Sequence, residues 1–382
     1  MSAPSIIARK LPAVFMRGGT SKALMFHAND LPNDLAQRDA IFLAAIGSPD
    51  PYGRQLNGMG GGLSSLSKAC IIEPSGRSDA DVDYTFAQVL VKEARVDYGS
   101  NCGNMSSAVG PFAVDEKIVS VNDGEAIVRI FNTNTKKIIH STFSVSGGRS
   151  AWQGNLEIPG VTGTGAPIRL DFVEPGGAST GKLLPTGNVK DVLDVPGVGK
   201  VEVSMVDAAN ACAFVTAESM GISGTEMPEE LDRNTELLGK LAAIRLHASV
   251  AMGFSNSLEE ARTKTAIPFI GFVSPPQDAR TLSGVRMSAA DADLTVRIIS
   301  NGQPHRALPL TGSICAAVAA QIKGTTVSQV ARPGLGEKLR IAMPSGLLTV
   351  GALVDHQGGH WHASYGSLFR TARRLFEGFV YA

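Results

Sequence analysis

The stretch NCGNMSSAVGPFAVDE (residues 101–116) sets a cysteine among asparagines and glycine, then runs apolar on nearly every side. A helix that is hydrophobic all round belongs in an interior, not on a surface. The polar, glycine-containing opening is where such a helix would start, so an interior helix beginning beside Cys102 is expected. A second stretch has the same character. LPLTGSICAAVAAQIKG (308–324) also opens with small residues and continues as an apolar run.

The surroundings of these two stretches rhyme as well. DVDYTFAQV (81–89) and DADLTVRII (291–299) are both acidic-started, alternating segments that read as strands. AIVRIFNTNTKKIIHSTFSV (126–145) and KLRIAMPSGLLTVGALV (338–354) each read as strand, polar turn and strand. VFMRGGTSKALMF (14–26) is echoed by VSMVDAANACAFV (203–215), and QRDAIFLAAIG (37–47) by the helical TELLGKLAAIRLH (235–247). Four echoes in one order imply an internal duplication. The expected fold class is α+β, with two pseudo-repeated domains, each a curved sheet or barrel around a central apolar helix. Domains of 1–185 and 186–365 follow, with 366–382 returning to pack on the first. LLPTGNVKDVLDVPGVG (183–199), rich in Pro and Gly, is the expected crossing, and both helix starts are expected at a cleft between the domains.

Bulk composition excludes several function classes. Apolar residues make up 43% of the 382 and charged ones 18%, which is globular composition. Lys plus Arg and Asp plus Glu both number 35, with no basic block, so there is no electrostatic footprint for nucleic acid or an anionic membrane. The opening MSAPSIIARKLPAVF lacks a signal-peptide pattern and no membrane-length apolar run follows, so a cytoplasmic location is expected. A homo-oligomer is left open. Cys70, Cys102, Cys212 and Cys315 are scattered without a CxxC pair, which points to neither a zinc site nor a disulfide framework.

Cysteine chemistry then separates the four. Cys70, Cys212 and Cys315 lie inside apolar patterns and read as small buried residues. Cys102 stands at a helix start, where unpaired N–H groups and the positive dipole end favour thiolate and bind anions. Lys68 closes NGMGGGLSSLSK (57–68) and precedes an apolar strand. By its residues alone it reads as an exposed strand-edge lysine; partly desolvated, it would be a general base near neutrality.

Eight segments in order carry a resemblance: MRGGTSK (16–22), GSPDP (47–51), NGMGGGLSSLSK, DVDYTFAQV, NCGN, PTGN (185–188), PSG (344–346) and RTARRLFEGFV (370–380). Together they resemble the PrpF family, which comprises 2-methylaconitate cis-trans isomerase and relatives acting on aconitate, 3-methylitaconate and 4-oxalomesaconate. The fold implied is that of diaminopimelate epimerase. The resemblance also implies a catalytic lysine at Lys68, paired here with Cys102, and no cofactor. The expected reaction is a proton shift at an allylic carbon of a small unsaturated di- or tricarboxylate. Which of the two residues removes the proton and which returns it stays open. A cofactor-independent epimerase, a 4-oxalomesaconate tautomerase and a non-catalytic carboxylate-binding protein are the alternatives.

Epimerases of this fold use two thiols, one at each helix start. The 210-residue register of the strand pair 81–89 and 291–299 carries Cys102 to Gly312, whereas the epimerase resemblance puts Pro309 or Leu310 there. No thiol stands at any of these, so a two-thiol racemase is disfavoured. Backbone N–H groups at Gly103–Asn104 and at Thr311, Gly312 and Ser313 are the expected stabilisers of a developing anion. Arg17 could bind a substrate carboxylate or pack its own loop. Thr20, Ser21, Ser64, Ser65, Asn101, Asn104, Asn188 and Ser345 are the remaining candidate ligands. GMGGG lacks the dinucleotide spacing. QGG between His356 and His360 reads as a hairpin turn, which makes His356, His360 and His362 strand residues and not a metal set.

Overall fold

The computed structural model describes residues 9–99, 102–264, 267–300 and 302–382. The chain forms two compact units, one of residues up to Leu170 together with Phe369–Ala382, the other Asp171–Leu368. The boundary therefore falls ahead of position 185. LLPTGNVKDVLDVPGVG is no crossing: it supplies a hairpin strand inside the second unit.

The first unit contains β1 (Lys10–Gly18), β2 (Ser21–His27), α1 (Leu35–Ile46), β3 (Lys68–Pro74), β4 (Val82–Val89), α2 (Gly103–Asp115), β5 (Gly124–Asn132) and β6 (Lys137–Ser146). β1 and β2 are antiparallel, β2 and β3 parallel, β3 and β4 antiparallel, β4 and β5 parallel, β5 and β6 antiparallel. Strand Ala372–Tyr381 pairs antiparallel with β1 on its other side. Helix α2 is buried from Met105 to Val114 and packs on β1, β2, β5 and β6, so the sheet curves around it. Its tightness has a cause at Gly110, where a Cβ would come within 2.6 Å of Ser141 Oγ. α1 begins at Asp34, whose carboxylate accepts from Gln37 N–H, and ends at Gly47 in the left-handed conformation. Its Ile41, Phe42, Ala45 and Ile46 close a second apolar layer with Phe15, Phe26 and Ile71.

The second unit runs β7 (Asp191–Val195), β8 (Gly199–Ala208), β9 (Asn210–Thr216), α3 (Thr235–Ala251), β10 (Phe269–Ser274), β11 (Leu294–Ser300), α4 (Leu310–Gln321), β12 (Lys338–Met343) and β13 (Gly346–Gln357). Its pairings from β8 to β13 repeat those from β1 to β6 in the same order: antiparallel, parallel, antiparallel, parallel, antiparallel. α3 stands where α1 stood, and α4, buried from Gly312 to Ala320, where α2 stood. Gly358 and Gly359 turn β13 into strand His360–Arg370, with His356 opposite Trp361.

The duplication reaches single side chains. Asp81 accepts from Arg129 N–H at 2.7 Å and from its guanidinium; Asp293 accepts from Arg340 N–H at 2.8 Å and from its guanidinium. Asp81 thus corresponds to Asp293, two residues beyond the Asp291 that the sequence register supplies. The helices correct that register in the other direction. Ser106 N–H donates to Cys102 and Ser313 N–H donates to Pro309, so the partner of Cys102 is Pro309 and not Gly312. Among the described residues no helix is long and apolar enough to cross a membrane.

Candidate active site

The approach to Lys68 is a loop of residues 47–67 built around two buried or half-buried polar groups. Gln55 is 1% exposed; its carbonyl oxygen accepts from Gly62 N–H and Ser67 hydroxyl, and its amide donates to Ser48. Asp50 accepts from the N–H groups of Tyr52, Arg54 and Gln55, which together hold its carboxyl below the usual range. The glycines are needed here because the chain touches itself. A Cβ on Gly60 would fall 2.2 Å from Gln55 Oε1, and Gly62 has φ +73°.

That loop delivers Lys68 to the first position of β3 at 6% exposure, which departs from the strand-edge reading of its residues. Its ammonium donates to Gln88 Oε1 and lies 4.9 Å above the Phe86 ring. Gln88 sits opposite it on β4 and spends its own amide on the carbonyls of Ser64, Ser67 and Val89. That orientation leaves only the oxygen for the lysine, and among the described residues no carboxylate pairs with it. Gln88 was not singled out from sequence; a polar residue ending an alternating strand is its sole signal.

Because β2 and β3 run parallel with Leu24 opposite Ala69, Ser21 and Lys68 open their strands at the same end. Ser21 is buried, and Cys102 Sγ stands 3.9 Å from its hydroxyl. Cys102 is the half-buried N-cap residue of α2 and makes no side-chain cap, so the thiol is left at the helix opening. Beneath them lies Cys70, wholly buried, donating to the Tyr84 hydroxyl. Burial pushes its thiol up strongly and Cys102 adds to this, while Tyr84 and Lys68 act the other way. Lys68 precedes Cys70 by two residues on β3, and Lys68 and Cys102 act on that buried thiol in opposite directions.

Gly18 and Gly19 let the turn between β1 and β2 lie against the opening of α2. A Cβ on Gly19, at φ +52°, would fall 2.1 Å from Asn104 Oδ1. Asn104 donates to Thr20 Oγ1 and accepts from Arg370 Nε, which ties three candidate elements together at the helix start. Gly103 is the first helical residue. Arg17, by contrast, is committed to the backbone, donating to the carbonyls of Gly19 and Thr371 at 2.9 Å each. Burial, and then the like charge of Arg373, lowers its pKa from the usual value. Ser64 and Ser65 form a short 3-10 turn just before Lys68. Asn101 lies outside the described residues.

The remaining candidates belong to the second unit. Thr311, Gly312 and Ser313 form the first turn of α4, but Ser313 donates to Leu310 inside it, and a Cβ on Gly312 would meet Ile298 at 2.8 Å. Those two are packing residues. Asn188 is exposed and donates to Asp191, fixing its own loop. Ser345 Oγ, in the turn between β12 and β13, is buried without a hydrogen-bond partner among the described residues.

A buried lysine and a free thiol at a helix opening thus stand in one unit of a duplicated, strand-rich scaffold. The family model described as PrpF protein matches residues 8–382, and the chain belongs to that family. It is an isomerase with a diaminopimelate epimerase-like fold. It is 43% identical to 3-methylitaconate isomerase of Eubacterium barkeri, over 97% of each chain. Identity to 2-methyl-aconitate isomerase of Shewanella oneidensis is 38%, covering 97% of this chain and 96% of the other. The crystal structure of a methylitaconate-delta-isomerase superposes with a TM-score of 0.91 at 42% identity, covering 98% of this chain and 96% of that one. A hydroxyproline epimerase from Agrobacterium vitis, 11% identical with a TM-score of 0.50 over 98% of this chain and 93% of that one, shares the fold.

Proposed function

We propose that the chain isomerises a small unsaturated di- or tricarboxylate of the methylaconitate or methylitaconate type, moving a proton within its allylic system. The observation that carries this is the pairing, in one unit, of a buried Lys68 held by a neutral acceptor with a thiol at a helix opening, in a chain 43% identical to a 3-methylitaconate isomerase. Lys68 Nζ and Cys102 Sγ are the two proton carriers. One takes a proton from the carbon beside the unsaturated carboxylate, and the electron pair spreads into a dienolate. A proton then returns at another carbon of the same system, so the step is redox-neutral and consumes no co-reactant.

The dienolate adds charge to a substrate that is already an anion. The Gly103 and Asn104 N–H groups at the opening of α2 are the donors for that charge, reinforced by the helix dipole. The Cys102 side chain makes no cap bond to the helix, which leaves this opening accessible to a ligand oxygen. A small-molecule carboxylate substrate is the ground on which the cytoplasmic location belongs to this proposal.

The test is proton NMR in deuterated water with 2-methylaconitate, cis-aconitate, 3-methylitaconate and 4-oxalomesaconate offered separately. Migration or cis-trans exchange of the double bond, with deuterium entering the allylic carbon, is the expected result for at least one. Deuterium entering a stereocentre with no movement of a double bond would replace the proposal with epimerisation. No reaction and no exchange with any of the four would withdraw it.

A further inference from the structure

Three arginines among the described residues are more than nine-tenths buried: Arg245, Arg297 and Arg370, at 9%, 2% and 6% exposure. A buried guanidinium has five N–H donors to place, and two of the three place theirs on backbone. Arg297 donates through Nε, Nη1 and Nη2 to the carbonyls of Thr225, Glu226, Val296 and Ala342. Arg245 donates to those of Ala261, Lys264 and Ile267. These are structural arginines, wrapped in carbonyl oxygens.

Arg370 is different. Its Nη1 donates to Phe369 O at 2.9 Å and its Nε to Asn104 Oδ1 at 3.2 Å, while Nη2 has no hydrogen-bond partner among the described residues. No ion pair reaches it there, and burial is the only influence on its pKa, which is lowered to about 10. It is still a cation at neutral pH. Its contact Asn104 lies in the first turn of α2, two residues from Cys102, and also holds Thr20. A buried cation at the positive end of a helix, without an acid beside it, is an unfavourable arrangement that a bound anion would relieve.

We infer that Arg370 is the counter-ion of a substrate carboxylate, which it seats together with Asn104 and Thr20 beside Cys102. The inference rests on the reading of the substrate as a polycarboxylate and names the residue that recognises it. Arg17, the arginine that the sequence offers for this task, is tied to two carbonyls instead.

The probe is propane-1,2,3-tricarboxylate, a saturated tricarboxylate that cannot isomerise, titrated calorimetrically into wild-type protein and the Arg370→Met and Arg370→Lys variants. Binding to wild type, weakened about a hundredfold in Arg370→Met and less in Arg370→Lys, is expected. In turnover, the loss should fall mainly on KM. Ligand-free Arg370→Met should melt at or above the wild-type temperature, because it removes an uncompensated buried charge. A variant that melts well below wild type or does not fold makes Arg370 a structural pin for Asn104 and overturns the inference. So does probe binding within threefold of wild type. If wild type isomerises a carboxylate while the Arg370 variants bind normally, only the inference falls. If the probe binds through Arg370 but none of the four unsaturated acids reacts, only the isomerase reading falls. Absence of any probe binding to wild type removes the inference, and the isomerase reading then rests on the assay of the four unsaturated acids alone.

Discussion

Gln88 accepts a hydrogen bond from the Lys68 ammonium while its own amide is held by the carbonyls of Ser64, Ser67 and Val89. The acceptor is thus fixed in orientation and carries no charge. Gln88→Ala should free the lysine and lower kcat by about ten- to a hundredfold, with a smaller change in KM. Gln88→Glu should put a carboxylate against the ammonium and hold the lysine in an ion pair, lowering kcat at least as far as Gln88→Ala does. Steady-state kinetics of both variants check this; an unchanged kcat in both would mean that Gln88 does not position Lys68 for turnover.

Cys102 occupies an N-cap position without capping it. Serine is among the good caps, so Cys102→Ser should raise the stability of α2 by about 0.5–1 kcal/mol while reducing turnover by at least about a hundredfold. Thermal melting and the NMR assay, run on one preparation, separate the two effects. A fall in both would mean that the thiol serves packing.

The turn between β1 and β2 tolerates no side chain where it meets Asn104. Gly19→Ala would need a left-handed backbone and a Cβ 2.1 Å from Asn104 Oδ1. It should cost about 1–3 kcal/mol and raise KM by displacing Asn104. Gly163→Ala, also at positive φ but with open space around it, is the control for backbone strain alone. Equal KM values in the two variants would refute the steric reading.

The twin pairs Asp81–Arg129 and Asp293–Arg340 make matched predictions in the two units. Burial alone would raise both carboxyls, but the arginine beside each outweighs it and holds them below the ordinary aspartate value of 3.8. A depressed folded pKa contributes stability that is present above the unfolded value and lost as pH falls below it. Urea unfolding should therefore weaken from about pH 4 downward, and Asp81→Asn and Asp293→Asn should each flatten that fall. Each should cost about 1 kcal/mol at pH 7, discounted for guanidinium groups that are about two-fifths exposed (40% and 43%). Unequal losses would show that the duplicated pair no longer does duplicated work.

Much of the fold was legible because strands and interior helices repeat their hydrophobic patterns. The errors have physical reasons. A strand that alternates matches itself when slid by two, which is how Asp81 was set against Asp291 when its counterpart is Asp293. The connections leading into α2 and α4 differ in length, so one register cannot serve both strands and helices, and Pro309 replaces Gly312. Lys68 and Cys102 were visible through their short flanking motifs. Arg370 was not, since it meets Asn104 across a separation of 266 residues and stands in a segment, RTARR, that reads as a structural strand or helix end packing on the first domain. Arg17 shows the converse: a motif arginine beside the site whose observed partners are backbone carbonyls.

The first unit is discontinuous, and synthesis makes this a matter of timing. On the ribosome, β1, Lys68 and Cys102 emerge early, but Phe369–Ala382, which bring Arg370 and the strand that flanks β1, follow only after the whole of Asp171–Leu368. At about 5–20 residues per second that delay is roughly 10–40 s. The downstream unit owns all of its central strands by then and is free to close first, while β1 waits with one edge bare. A nascent chain therefore carries Lys68 and Cys102, the proposed proton carriers, long before it acquires the charge inferred to hold the substrate. The bare edge of β1 in that interval is where a chaperone would bind.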